Sequence, residues 1–249
     1  MNLRATHDDR FQQLRSERRL GRLVGPLTLL GLALTLAAVL VSAAAARNTG
    51  DTETLRQFAA NRDDQLVAAS LRVAGLLLSL PLVLFLQRIL VVRDPTVPRG
   101  LAIIGLAASL LIAASTMLGW FALRDAADAF VGREYRTERE ALDASGLLTA
   151  VRWIDIVSRL LFASWLAYAS LRASRVGLIT SFLGLWGLIA AFSGTFLAIG
   201  DALYIGWAGS VALLALGYWP GGRPPSWTSG RPEPWNVPPS PAVARPDDA

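Results

Sequence analysis

The feature that most constrains this chain is a series of long apolar runs, at residues 24–45, 66–92, 101–123, 150–171, 177–199 and 202–219. An α-helix rises about 1.5 Å per residue, so roughly 20 apolar residues match the ~30 Å hydrocarbon core of a bilayer. Six such runs in 249 residues leave too little polar sequence to shield them from water. Composition agrees, since 53% of the residues are hydrophobic and only 17% charged, against roughly 25% charged in soluble domains. The sequence predicts an all-α, polytopic transmembrane helix bundle of six spans and excludes a water-soluble domain.

Two segments admit a second reading. The first run ends in the small residues Val41-Ser42-Ala43-Ala44-Ala45-Ala46, which suit a signal peptidase. A signal's apolar region is usually only ~7–15 residues, whereas this run is longer and follows a basic tail over residues 1–23, so a retained anchor is expected. Gly200-Asp201 alone separates the last two runs. A single kinked helix is the alternative there, but the joined run is far too long for one crossing.

Arginine placement sets the expected orientation, because basic residues near span ends stay on the cytoplasmic side. With both termini cytoplasmic, the inner segments hold 14 arginines and the outer segments eight. The short inner connections obey the rule most clearly: 88–99 carries Arg88, Arg93 and Arg99 against Asp94, and 172–175 carries Arg172 and Arg175 unopposed. The pI near 10.6 then reflects membrane asymmetry, and nucleic acid is not an expected partner. The partners expected are the lipid bilayer, with anionic lipid at the basic N-terminal tail, and a protein at the C-terminal tail.

Missing residue types exclude much chemistry. There is no cysteine and no lysine, and the one histidine, His7, lies in the N-terminal tail. Thiolate metal sites, cysteine nucleophiles, Schiff bases and a buried imidazole base are therefore absent. No catalytic residue, metal site or cofactor is expected, and the enzyme reading ranks last. No Asp or Glu falls near the middle of a span, which weakens the case for a proton- or cation-coupled pump.

Charges at membrane depth are costly, about 2.5–3.5 kcal/mol at a span centre on insertion scales, so each needs a partner or a route to water. Arg159 is the sharpest case, and Arg152, Asp155 and Arg159 share one helical face. Arg72 lies near the outer end of the second span and Asp201 in the turn between the last two. Arg72, Asp155, Arg159 and Asp201 are thus expected to line an outward-facing cavity or clamp; snorkelling of Arg159 to the interface is the alternative. Ser109, Ser115, Thr116 and Ser193 read as helix-contact residues. Trp120, Trp153, Trp207 and Trp219 read as interfacial anchors, with Trp165 and Trp186 in the core.

Weak internal similarity accompanies the spans. Gly100-Leu101 and Leu111-Ile112-Ala113-Ala114 recur as Gly177-Leu178 and Leu188-Ile189-Ala190-Ala191, and Arg72 precedes Arg88 by the same interval as Arg159 precedes Arg175. Parallel repeats of this kind are common in transporter folds. The outer connection, 124–149, is charged and helix-compatible. The final segment, 220–249, holds nine of the 13 prolines and is expected to be an extended, disordered cytoplasmic tail whose Trp227 and Trp235 offer a linear contact.

The tail run Trp219-Pro220-Gly221-Gly222-Arg223-Pro224-Pro225-Ser226-Trp227, continued by Arg231-Pro232-Glu233-Pro234-Trp235, resembles those of uncharacterised multi-pass membrane proteins of high-GC actinobacteria. The connection Arg93-Asp94-Pro95-Thr96-Val97-Pro98-Arg99-Gly100 is similar to loops of the same group. The resemblance implies a bacterial inner-membrane location and brings no activity and no site residues. The leading functional expectation is a non-enzymatic bundle acting as scaffold or accessory subunit. The alternative is a transporter or channel component using the outer Arg/Asp cluster.

Overall fold

Backbone polar groups in hydrocarbon have no water to bond, so a chain this apolar must satisfy them within helices. The computed structural model describes residues 3–48, 54–196, 200–220 and 222–235. Its described residues form α1 (Leu3–Asn48), α2 (Thr54–Ala60), α3 (Arg62–Arg93), α4 (Leu101–Val131), α5 (Glu138–Ala144), α6 (Gly146–Arg175), α7 (Ser181–Phe196), α8 (Gly200–Leu216) and α9 (Pro225–Ser229), with no strand among them. Four are long and apolar enough to cross a membrane, within Gln12–Ala45, Arg62–Arg93, Leu101–Val131 and Gly146–Arg175; α7 and α8 are apolar but shorter. Mean hydropathy in the best window is 2.3, 2.2 and 2.3 for the first three and only 1.3 for α6, which carries Arg152, Asp155 and Arg159.

The six apolar helices close a ring in chain order. α1 packs on α3, α3 on α4, α4 on α6, α6 on α7, α7 on α8, and α8 returns to α1. Glycine makes the first of these crossings close: a Cβ on Gly31 would stand 2.5 Å from the Gly75 carbonyl oxygen, and a Cβ on Gly75 the same distance from that of Gly31. Small residues let backbones approach in this way and gain dispersion contacts that lipid tails cannot outcompete. Outside the ring, each helix exposes large apolar side chains, among them Leu40, Leu84, Ile103, Leu160, Phe192 and Leu213, as a surface solvated by acyl chains would.

Two dry cores lie at opposite ends. The larger gathers Leu86, Leu90, Trp165, Leu178, Trp207 and Trp227 at the end that carries the described N- and C-terminal segments. Trp207, expected at an interface, is instead fully buried in the middle of α8, where its indole N–H donates to the Leu183 carbonyl at 3.0 Å. The smaller core lies at the far end, where Leu55 and Phe58 of α2 and Ala141 of α5 meet Trp120 and Phe130 of α4. There α4 runs beyond its expected end to Val131, and a capping box of Thr137 and Glu140 starts α5.

Both terminal segments depart from the tails that composition suggests. α1 is one helix of 46 residues that takes in most of the basic stretch. Its stripe Leu14, Glu17, Gly21, Val24 and Thr28 is buried. Residues 224–235 lie against the bundle, with Trp227 donating to the Leu178 carbonyl at 2.7 Å and Ser226 to that of Gly177 at 2.6 Å. Gly177, at φ 70°, leaves the space into which the Glu233 carbonyl fits, and Glu233 N–H bonds Val176 O at 3.2 Å. Prolines stop this segment forming a long helix, but its backbone and indole find partners, so it docks instead of staying extended. Residues 236–249 of the expected tail lie outside the described residues.

Candidate functional site

Between the two cores the ring is not filled. A mostly apolar cavity of about 80 Å³ is lined from all six helices, by Leu32, Val83, Ile112, Leu166, Ala190 and Ile205 among others, with Thr35, Ser79, Ser109 and Tyr204 and the charged Arg72, Arg159 and Asp201 among its polar lining. That volume has room for several waters. Toward the far end a larger groove of about 560 Å³ runs between α1, α3, α4 and α6. Arg72 and Arg159 line both spaces and stand where they meet.

The four residues singled out by spacing lie together at this junction. Arg72 of α3 pairs with Asp201 in the first turn of α8. Arg159 of α6 donates from Nε to Asp155 one turn earlier at 2.7 Å, and its Nη1 stands 3.7 Å from Asp201. The face shared by Arg152, Asp155 and Arg159 allowed Asp155 two partners; it takes Arg159 and also accepts from the Ser115 hydroxyl of α4 at 3.3 Å. Arg72, Asp155, Arg159 and Asp201 keep side-chain exposures of 34%, 34%, 31% and 42%. This is a linked set of charges from three helices, open to the groove on one side.

The α7–α8 pair gives these charges backbone partners. Sixteen and 17 residues give these helices about 24–26 Å, less than the ~30 Å hydrocarbon core. Arg159 donates to the Gly194 carbonyl at the end of α7, at 3.4 Å. Asp201 sits at the start of α8, where the exposed N–H groups favour a negative side chain. The two charges complement the ends of the two helix dipoles.

Spacing did not reveal the parts of the site that depend on tertiary packing: the Gly194 carbonyl, the Ser115 hydroxyl, and the wall residues Thr35, Ser79 and Tyr204. Nor did it reveal a fully buried charged pair elsewhere in the bundle. Arg93, read as a loop arginine, is buried with 0% side-chain exposure and grips Glu17 at 2.5 and 2.6 Å while donating to Ser226 O at 3.2 Å. A signal existed, since Glu17 falls on the Leu14–Gly21–Val24–Thr28 stripe of α1, a position where an unpartnered carboxylate would be costly.

In the connection between α3 and α4, Asp94 accepts from the Thr96 hydroxyl at 2.5 Å and from Arg172 at 3.2 Å. The Thr96 hydroxyl, then its backbone N–H and the Arg172 guanidinium, hold the Asp94 carboxyl below its ordinary value of 3.8.

Residues 23–219, from partway along α1 to just past the end of α8, match a family model described as a domain of unknown function, DUF4386. No curated protein and no solved structure matches the chain.

Proposed function

The chain belongs to the DUF4386 family, and from that premise we propose that it is a solute-binding component of a bacterial membrane transporter or channel. The observation that carries this reading is the junction of an interior cavity and an outer groove at two partly exposed arginines. Ionisable side chains left partly solvated at membrane depth commonly mark substrate or ion pathways. In this reading all six apolar helices cross the cell membrane, the short α7–α8 pair included, and both termini face the cytoplasm. The groove then opens outward. The exposed Arg15, Arg18, Arg19 and Arg22 of α1 would meet anionic lipid on the inner leaflet, at about 1 kcal/mol per residue near the surface. Burial, and then the charges of Arg18 and Arg22, hold the Arg223 guanidinium below its ordinary value, a basic crowding that lipid phosphate would relieve.

A scaffold or accessory role is the second reading. Packing of Trp227 favours it only by fixing the position of residues 224–235, because that indole is itself spent on Leu178. Scaffolding would show as a partner lost on deleting 236–249.

Two experiments test the first reading. The chain lacks cysteine, so single cysteines report topology cleanly. Glu134→Cys is expected to react with an impermeant maleimide in intact cells, and Thr96→Cys only after permeabilisation; the reverse pattern contradicts the orientation. In reconstituted vesicles, small-anion flux above the protein-free rate is expected, and Arg159→Leu is expected to abolish it. Flux equal to the protein-free rate, or unchanged by Arg159→Leu, contradicts the role.

A further inference from the structure

The outer groove limits what kind of solute it accepts, an inference that rests on the reading just given. We infer that it takes a small organic acid, a carboxylate on an apolar body of aromatic size, with the carboxylate at the Arg72–Arg159 floor and the body along the groove. Its volume of about 560 Å³ falls within the ~300–1,000 Å³ typical of small-molecule sites. Val39, Phe58, Trp120, Leu123 and Ile156 supply the apolar walls, and the Phe58 and Trp120 rings stand 6.4 Å apart in a tilted pair. A planar apolar body gains both burial and ring contact there.

Charge chooses the head group. The titratable side chains lining the groove are Arg72, Arg152, Arg159 and Asp155. Asp201, which holds Arg72 from the cavity side, is the other carboxylate in the linked set. The two arginines and two aspartates of the linked set balance, and Arg152, an exposed side chain on the groove lining, adds one positive charge. A monoanion cancels it, a dianion overshoots, and a cation worsens it. Each guanidinium carries five donors in a planar fork, and its aspartate pairing uses only part of that set. Both arginines can therefore donate to an incoming carboxylate without releasing their partners.

Binding to the full chain in lipid nanodiscs, with empty discs as blank, tests this with three probes. Naphthoate carries body and charge, naphthylmethanol the body alone, and acetate the charge alone. Saturable one-to-one binding of naphthoate is expected, with both other probes weaker by about tenfold or more, equivalent to ~1.4 kcal/mol. Arg159→Gln is expected to weaken naphthoate by about tenfold. Gly119→Phe fills the groove from α4. A Cβ at Gly119 meets only Val151 Cγ1, at 3.5 Å, so the ring can enter the groove without displacing backbone or the ion pairs. It is expected to abolish naphthoate binding while thermal stability is retained.

The inference is overturned if naphthylmethanol binds as tightly as naphthoate, if acetate does so, if Gly119→Phe binds normally, or if naphthoate shows no saturable binding. Chloride flux that still depends on Arg159 would then leave the transport reading standing, whereas its absence would sink both.

Discussion

Two sets of arginine–carboxylate pairs, at different levels of the bundle, are solvated in opposite ways. At the end that gathers the terminal segments, Arg93 and Glu17 are 0% and 5% exposed, bonded through the two terminal guanidinium nitrogens and backed by the Ser226 carbonyl. At the other level, Arg72, Arg159, Asp155 and Asp201 are 31–42% exposed and line the cavity or the groove. A buried pair is hard to break, because the partner left behind keeps its full desolvation cost. A half-solvated pair is worth little to stability and exchanges readily with water or a ligand. The first arrangement suits a clasp joining α1, α3 and the docked C-terminal segment, and the second suits a site.

That contrast sets an order of effects. Arg93→Ala is expected to do the most damage, about 3–5 kcal/mol of unfolding free energy in detergent, by stranding Glu17. The paired change Arg93→Met with Glu17→Leu is expected to recover most of it, and a double variant no better than Arg93→Ala would remove the clasp interpretation. Trp227→Ala follows, at about 3 kcal/mol, since a fully packed indole and its bond to Leu178 O are lost. Retained stability in that variant would mean that residues 224–235 are not docked in solution.

Arg159→Gln is expected to cost about 1 kcal/mol or less in thermal unfolding while eliminating flux, and a loss as large as that of Arg93→Ala would erase the distinction between the two levels. Asp94→Asn is expected to have the smallest effect. The folded carboxyl titrates below 3.8, so its contribution is present above that pH and fades as pH falls through the folded value. Wild type and Asp94→Asn are expected to differ slightly at neutral pH and to converge below about pH 4; a constant difference across that window would assign the effect to packing.

The sequence made some of this visible and hid the rest for identifiable reasons. Long apolar runs announce helices because period and length act locally, and the six apolar helices fall on them, whereas α2, α5 and α9 lie outside them. Helix ends were less visible: α4 continues past Leu123 to Val131 because Ala126, Ala127 and Phe130 bury against α2, a contact no local pattern encodes. The spacing of Arg152, Asp155 and Arg159 put those charges on one face, but only the ring brings Arg72 and Asp201 to them. The Pro-rich composition from Pro220 onward argued for an extended tail because composition averages over Trp227, whose single indole bond helps to fix the segment. The suggested repeat finds unequal elements, since α4 has 31 residues and α7 has 16.

Closure of the ring between its first and last helices supports everything said about the cavity, and a disulfide can test it directly. A Cβ at Gly25 would lie 2.5 Å from Leu216 Cγ, a separation that brings paired cysteines at these positions within bonding reach. Mild oxidation of Gly25→Cys/Leu216→Cys in native membranes is expected to give near-complete cross-linking within one chain, seen as a faster-migrating monomer that reverts on reduction. Absence of that band, or cross-linking only between chains, would show that α1 and α8 do not close a ring.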